Sequence, residues 1–291
     1  MGKTKKIYDI LKCKNYDIPL NDLDAWSFYP NHNWVYNRLE LAKYQGIKCA
    51  PMPIQPKDNI YPIIIKPIIN LYGMGNKIIK VNNYDEFEKE WYKNNTDFWS
   101  EFLTGTHKSW DFVINRGKIL YHTCFIGHNC SETVGKFTLW ESVNNNIPKN
   151  IKKFIKKEFT TYIGCVNIET IGNKMIECHL RMGDIDKFPT LKILKGIIKN
   201  YDNKKYKNWS KIKYQQIYIF PIWFPNPSKE IYKQARNFKY KNVLEYEIDE
   251  EYLCKPGESD EQRIMWFTCM DYKFGKKMRN TLLDKLFYLK N

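Results

Sequence analysis

The sequence predicts an α+β protein built around antiparallel sheet, and three observations carry that expectation. Helical stretches alternate with apolar or period-two runs; the strand-rich runs come as pairs closed by turn residues; and no internal repeat or low-complexity linker divides the chain. With 291 residues, 43% of them hydrophobic and 16% aromatic, the chain can bury a sizeable core as one large or two small domains, which argues against disorder.

In chain order, HNWVYNRLELAKYQGI predicts a helix with Val35, Leu39 and Ala42 on its apolar side and its end at Gly46. YPIIIKP is a buried strand and KIIKV, after a Gly-rich turn, is another. Residues 84–92 form an amphipathic helix with Phe87 and Trp91 on one face. DFWSEFL, SWDFVINRGKILYHTCFIGH and 166–180 are strand-rich, while 150–160 and 187–200 look helical. After a Lys-rich connection come a strand over 216–223, then VLEYEIDEEYL, then a C-terminal helix from Gln262 or later, with Glu258, Asp260 and Glu261 as its capping region.

The net charge of +15 suggests an anionic partner, but abundant Lys, Asn, Ile and Tyr are residues of AT-rich codons, so the charge is discounted. Eight cysteines with no C-x-x-C pair and no zinc-type spacing read as free thiols of a reducing compartment. The start MGKTKKIYDILK lacks a signal-peptide core, Lys66 interrupts YPIIIKPIINLYGMG, and QQIYIFPIWFP is short. The expectation is a cytosolic protein without a membrane span.

Chemistry is expected on VNIETIGNKMIECHLRMGD, residues 166–184, where Asn167, Glu169, Glu177, His179 and Arg181 crowd one hairpin. A three-residue turn, 172–174, sets Glu169 opposite Glu177 and Asn167 opposite His179; a two-residue turn puts the glutamates on opposite faces. Facing carboxylates repel unless a cation neutralises them, so the first register implies a metal, and oxygen ligands suit Mg²⁺. A surface hairpin with solvated glutamates is the plain alternative. Upstream, Lys66 precedes IINLYGMGNK, whose Gly73 and Gly75 can form an anion nest or simply a turn. In SEFLTGTHKSWDF, Glu101 ends a strand before Gly105, and His107, Ser109 and Asp111 then alternate. That junction can read an adenine edge or cap a turn.

The order of these pieces, over roughly residues 26–186, resembles the ATP-grasp superfamily. The resemblance implies two α+β subdomains clamping ATP, Mg²⁺ as cofactor, and ligation of a small-molecule or peptide carboxylate to an amine or thiol through an acyl phosphate. It implies that Lys66 and Arg38 touch phosphates, that Gly73 and Gly75 cover them, and that Glu101, Phe102 and Leu103 form the adenine hinge. His107 stands in the ribose position, and Lys136 in that of a further phosphate-binding lysine. Glu169 and Glu177 match the metal ligands, with His179 in place of the usual Asn as third ligand, and Arg181 matches the arginine that stabilises the transferring group. The implied division is a shortened N-terminal region (1–50), a small subdomain (51–100), a large subdomain (101–200) and a C-terminal extension (201–291). Two alternatives remain: a basic nucleic-acid binder using lysine clusters such as Lys152-Lys153 and Lys204-Lys205, whose default is a solvated surface, and a degenerate ATP-binding scaffold.

Overall fold

Two antiparallel sheets organise the chain, and every strand pairing among the described residues is antiparallel. The structure is a computed structural model that describes residues 18–71, 78–129, 136–183, 191–249 and 261–288.

The first helix among the described residues is α1 (Asp22–Phe28), which Asn21 caps by accepting from the Asp24 amide at 2.8 Å. The single helix expected from His32 to Gly46 is broken in two. A 3₁₀ turn (Asn33–Tyr36) precedes helix α2 (Arg38–Tyr44), because Asn37 is extended and caps α2 by accepting from the Glu40 amide at 3.0 Å. Gly46, at φ +69°, ends the segment as expected.

The small sheet has the order β1-β4-β2-β3, from β1 (Cys49–Pro51), β2 (Ile63–Pro67), β3 (Ile79–Val81) and β4 (Asp97–Glu101). Helix α3 (Tyr84–Glu90) covers it by inserting Phe87 against Ile63, Ile65, Val81 and Trp99. Burying that one ring contributes about 2 kcal/mol.

The large sheet runs β11-β12-β10-β7-β6-β5-β8-β9. Its strands are β5 (His107–Asn115), β6 (Lys118–Asn129), β7 (Phe137–Ser142), β8 (Ile163–Ile171), β9 (Lys174–His179), β10 (Tyr218–Pro225), β11 (Glu245–Ile248) and β12 (Glu261–Cys269). Period-two alternation sorts its faces. Trp110, Phe112, Ile114, Val166 and Ile168 pack with Ala25 of α1 and with Ile151, Phe154 and Ile155 of α4 (Lys149–Glu158). Val113 and Cys165 turn the other way, onto Ile193, Leu194 and Ile197 of α5 (Leu191–Tyr201).

The C-terminal segment departs from expectation. Residues 261–269 are strand β12, and helix α7 (Tyr272–Tyr288) begins only after it. β12 lies between β10 and β11, so Ile264, Met265, Trp266 and Phe267 are all buried, and an apolar run covered on both sides carries no periodicity to separate strand from helix. Glu261 therefore opens a strand, and Glu258 and Asp260 lie outside the described residues. Helices α6 (Lys229–Asn237) and α7 pack with β10 and β12. Among the described residues no helix is long and apolar enough to cross a membrane, and Cys49, Cys124, Cys165, Cys178 and Cys269 are free thiols.

Candidate functional site

The β8–β9 hairpin closes with a two-residue turn, Gly172-Asn173, between the paired Ile171 and Lys174. That turn by itself would set Ile176 opposite Glu169. A bulge between the Thr170–Met175 and Glu169–Glu177 pairs takes up Ile176, so Glu169 faces Glu177 and Asn167 faces His179. The pairing expected of a three-residue turn is thus reached by a shorter turn and one extra residue, which also lets Met175 enter the core while Glu177 turns to the site. A carboxylate oxygen of Glu169, one of Glu177 and a ring nitrogen of His179 all lie within 4.8 Å of one another.

Each member is held by neighbours. Glu177 Oε1 lies 2.7 Å from Arg38 Nη2, which the first turn of α2 delivers with its side chain only 3% exposed. Glu177 Oε2 lies 3.1 Å from His179 Nε2. Burial would raise the Glu177 pKa, but Arg38 and His179 outweigh it and hold the carboxyl well below the usual carboxylate range. Glu169 Oε2 meets His107 Nε2 at 2.9 Å, and the His107 ring sits edge-on to Phe137 and Trp140. His107, expected at a ribose, is therefore tied to a metal-candidate carboxylate.

Lys66 comes from the small sheet, with its ammonium 5.5 Å from the centre of the Phe98 ring on the paired strand. Burial, together with the neighbouring Arg38 charge, lowers its pKa to about 8, while the fields of Glu177 and Glu169 oppose the fall. The cation of one sheet and the paired carboxylates of the other thus share one electrostatic environment.

The hinge is only partly open to a ligand. Glu101 Oε1 accepts from the Lys48 amide at 3.2 Å, and the Phe102 amide donates to the Pro62 carbonyl at 3.1 Å, so that amide is already engaged. Leu103 packs with Leu39, Ala42, Ile47 and Phe98. Lys136 stands just before Phe137, its ammonium 5.9 Å from the centre of the Trp223 ring. Gly73 and Gly75 lie outside the described residues.

The sequence reading missed Asp22 and Tyr36. Asp22 reads as an ordinary acid in the first turn of a helix, yet it is 5% exposed. Its Oδ1 lies 3.0 Å from Arg181 Nε and 3.1 Å from His179 Nδ1, and its Oδ2 accepts from Arg181 Nη2 at 3.1 Å. Tyr36 donates to the same Oδ1 at 3.0 Å and accepts from the Leu180 amide. Burial would raise the Asp22 pKa, but His179 and Arg181 hold it well below the carboxylate range; conversely Asp22 lifts His179 to about 9 against its own burial. Both His179 nitrogens therefore face carboxylates. Next to them, Asp111 Oδ1 accepts from the Gly183 amide at 2.7 Å and from Asn167 Nδ2 at 3.2 Å, anchoring the chain just past Arg181.

No protein-family model and no curated protein sequence matches this chain. Solved structures do. Carboxyaminoimidazole ribonucleotide synthase from Aspergillus clavatus, complexed with ATP, superposes with a TM-score of 0.64 at 11% identity, covering 90% of this chain and 75% of that one. The L-amino acid ligase from Bacillus licheniformis gives 0.60 at 9% identity, with 97% and 82% covered. Biotin carboxylase from Campylobacter jejuni gives 0.54 at 13% identity, with 97% and 77% covered.

Proposed function

We propose, for a chain whose fold is that of the ATP-grasp superfamily, an ATP-dependent ligase that joins a carboxylate to an amine or a thiol through an acyl phosphate. The observation that carries this reading is the pairing of Glu169 with Glu177 across the hairpin, beside the buried cations Arg38 and Lys66. Three like-folded proteins support it: one is a ligase, one a synthase complexed with ATP and one a carboxylase.

The donor set fits Mg²⁺, since two carboxylates within 4.8 Å supply hard oxygen ligands and leave further positions to water and phosphate. Glu169 and Glu177 would hold the ion, which when bound would neutralise charge on phosphate oxygens. His179, with each nitrogen on a carboxylate, acts in this reading as the counter-charge of Glu177 more than as a third ligand.

The chain's own residues then divide the work. Arg38 and Lys66 draw the triphosphate between the sheets, and burial strengthens each interaction by excluding water. The edge of the small sheet at Glu101 and Leu103 borders the base, read through groups other than the engaged Phe102 amide. Arg181 holds the activated carboxylate while a nucleophile attacks. Phosphoryl transfer asks for positioning and charge stabilisation and for little covalent work from the protein. The small sheet and the hairpin-bearing sheet act as the two jaws, and free thiols are in keeping with a reducing compartment such as the cytosol.

The test is phosphate release from ATP against pooled carboxylates and amines, with mass detection of the conjugate. Absence of any acceptor-dependent product, with ATP still bound, supports a degenerate scaffold instead. One observation favours a second reading, polyanion binding. A cavity of about 600 Å³ beside α5 is lined by Lys192, Lys195, Lys199, Lys204 and Lys211 against a single acid, Asp202. Nucleic-acid affinity falling steeply with salt and indifferent to ATP would support it.

A further inference from the structure

We infer that Asp22 is a positioning residue for Arg181, and that helix α1 thereby completes the catalytic centre of the large sheet. The inference rests on the ligase reading for its catalytic meaning and on geometry for its existence.

Four donors converge on this one carboxylate: Tyr36 Oη at 3.0 Å, His179 Nδ1 at 3.1 Å, and Arg181 Nε at 3.0 Å on Oδ1, with Arg181 Nη2 at 3.1 Å on Oδ2. The Asp22 and Arg181 pairing is side-on and bidentate, which fixes the plane of the guanidinium as a single contact cannot. It occupies the Nε and Nη2 edge. Nη1 makes a 3.2 Å bond to the Met182 carbonyl and retains a second proton for a substrate oxygen. Arg181 lies two residues past the end of β9, beyond the last β8–β9 pair at Asn167 and His179, so no strand pairing among the described residues restrains it. The restraint comes from 159 residues away in sequence. The same carboxylate orients His179, whose other nitrogen reaches Glu177, so Asp22 ties the metal-candidate hairpin and the arginine into one unit.

Two experiments test the clamp. In the first, ¹⁵N NMR of arginine side chains, assigned with Arg181→Lys, should show a slowly exchanging Arg181 Nε proton in the full-length protein, lost in Asp22→Asn. A fast-exchanging Arg181 Nε proton in the unsubstituted protein overturns the clamp whatever the variants do. In the second, Asp22→Asn should lower kcat roughly 100-fold, the scale of a misplaced catalytic group, and leave KM for ATP unchanged. Combined with Arg181→Lys, it should add only a small fraction of that loss, the part carried by His179, because the clamp itself acts through one guanidinium. Additive losses, or a change confined to KM for ATP, overturn the assignment. If the unsubstituted protein turns over no acceptor at all, the ligase reading falls and the catalytic role of Asp22 with it; turnover with an additive cycle removes the role of Asp22 alone.

Discussion

Arg38 Nη2 lies 2.7 Å from Glu177 Oε1, with the two side chains 3% and 14% exposed, so helix α2 and strand β9 are joined by a nearly dry ion pair. Removing Arg38 leaves Glu177 with His179 as its remaining contact partner. Arg38→Met should destabilise the protein by up to about 3 kcal/mol, less than the full cost of an orphaned buried charge. Chemical denaturation measures it, and a midpoint equal to that of the unsubstituted protein would show the pair to be solvated.

Glu177→Gln keeps the shape and removes the charge that a divalent ion needs. Turnover of ATP should fall by roughly 10²- to 10³-fold, the scale of losing one preorganised electrostatic contact, while the circular dichroism spectrum is preserved. An active variant would sink the metal role of the hairpin.

Stability should depend on pH through His179. Its folded pKa, about 9, is raised above the ordinary 6.5, so its contribution is complete below 6.5 and is lost as pH climbs through 9. Lys66 has the opposite sign: its folded pKa of about 8 lies below the ordinary 10.5, so its contribution grows only above 8. Between pH 6.5 and 8 the histidine acts unopposed by the lysine. Denaturation midpoints should decline across that window, and the decline should flatten in His179→Gln; an unchanged slope in the variant would assign the effect to other groups.

Nucleotide binding should take up a proton near pH 8. Lys66 is about half neutral there before a triphosphate arrives, and the arriving negative charge favours its ammonium form. Binding enthalpies measured at pH 8 to 8.5 in buffers of different ionisation enthalpy should diverge, and the divergence should shrink in Lys66→Met. Buffer-independent heats would remove Lys66 from the phosphate site.

Gly183 has no room for a side chain. A Cβ there would stand 2.5 Å from Asn167 Nδ2 and 2.7 Å from Asp111 Oδ1, both buried and both bonded. Gly183→Ala should cost about 1 to 3 kcal/mol and displace Arg181 with it, lowering activity together with stability. Full activity in a destabilised variant would show that the arginine is placed independently of this turn.

The hairpin that carries the candidate site was legible in the sequence. The alternation along 166–171 and 175–180 reveals a hairpin, the Gly172-Asn173 pair marks its turn, and two carboxylates on facing strands call for a cation. The way they come to face each other was not legible. Turn length and bulge compensate one another, and the Ile176 bulge that restores the register has no signature apart from the pairing itself. Likewise Asn37 reads as one polar residue inside a helical pattern until its extended backbone and side-chain cap show that it starts a new helix. In β12 the continuous apolar run is silent about its period because both sides are covered.

By itself the sequence determined the α+β class, the hairpin of residues 166–180 with its turn, and the residue types whose chemistry suits phosphate and a hard cation. These are local properties, set by side-chain periodicity and by the chemistry each group carries wherever it goes. Tertiary structure alone decided that Asp22 should hold Arg181, that His107 should serve Glu169, and that Lys66 should lose water beside two carboxylates. Such pairings depend on how distant elements dock, and docking is fixed by the summed burial of many apolar side chains, none of which names the polar partners it brings together.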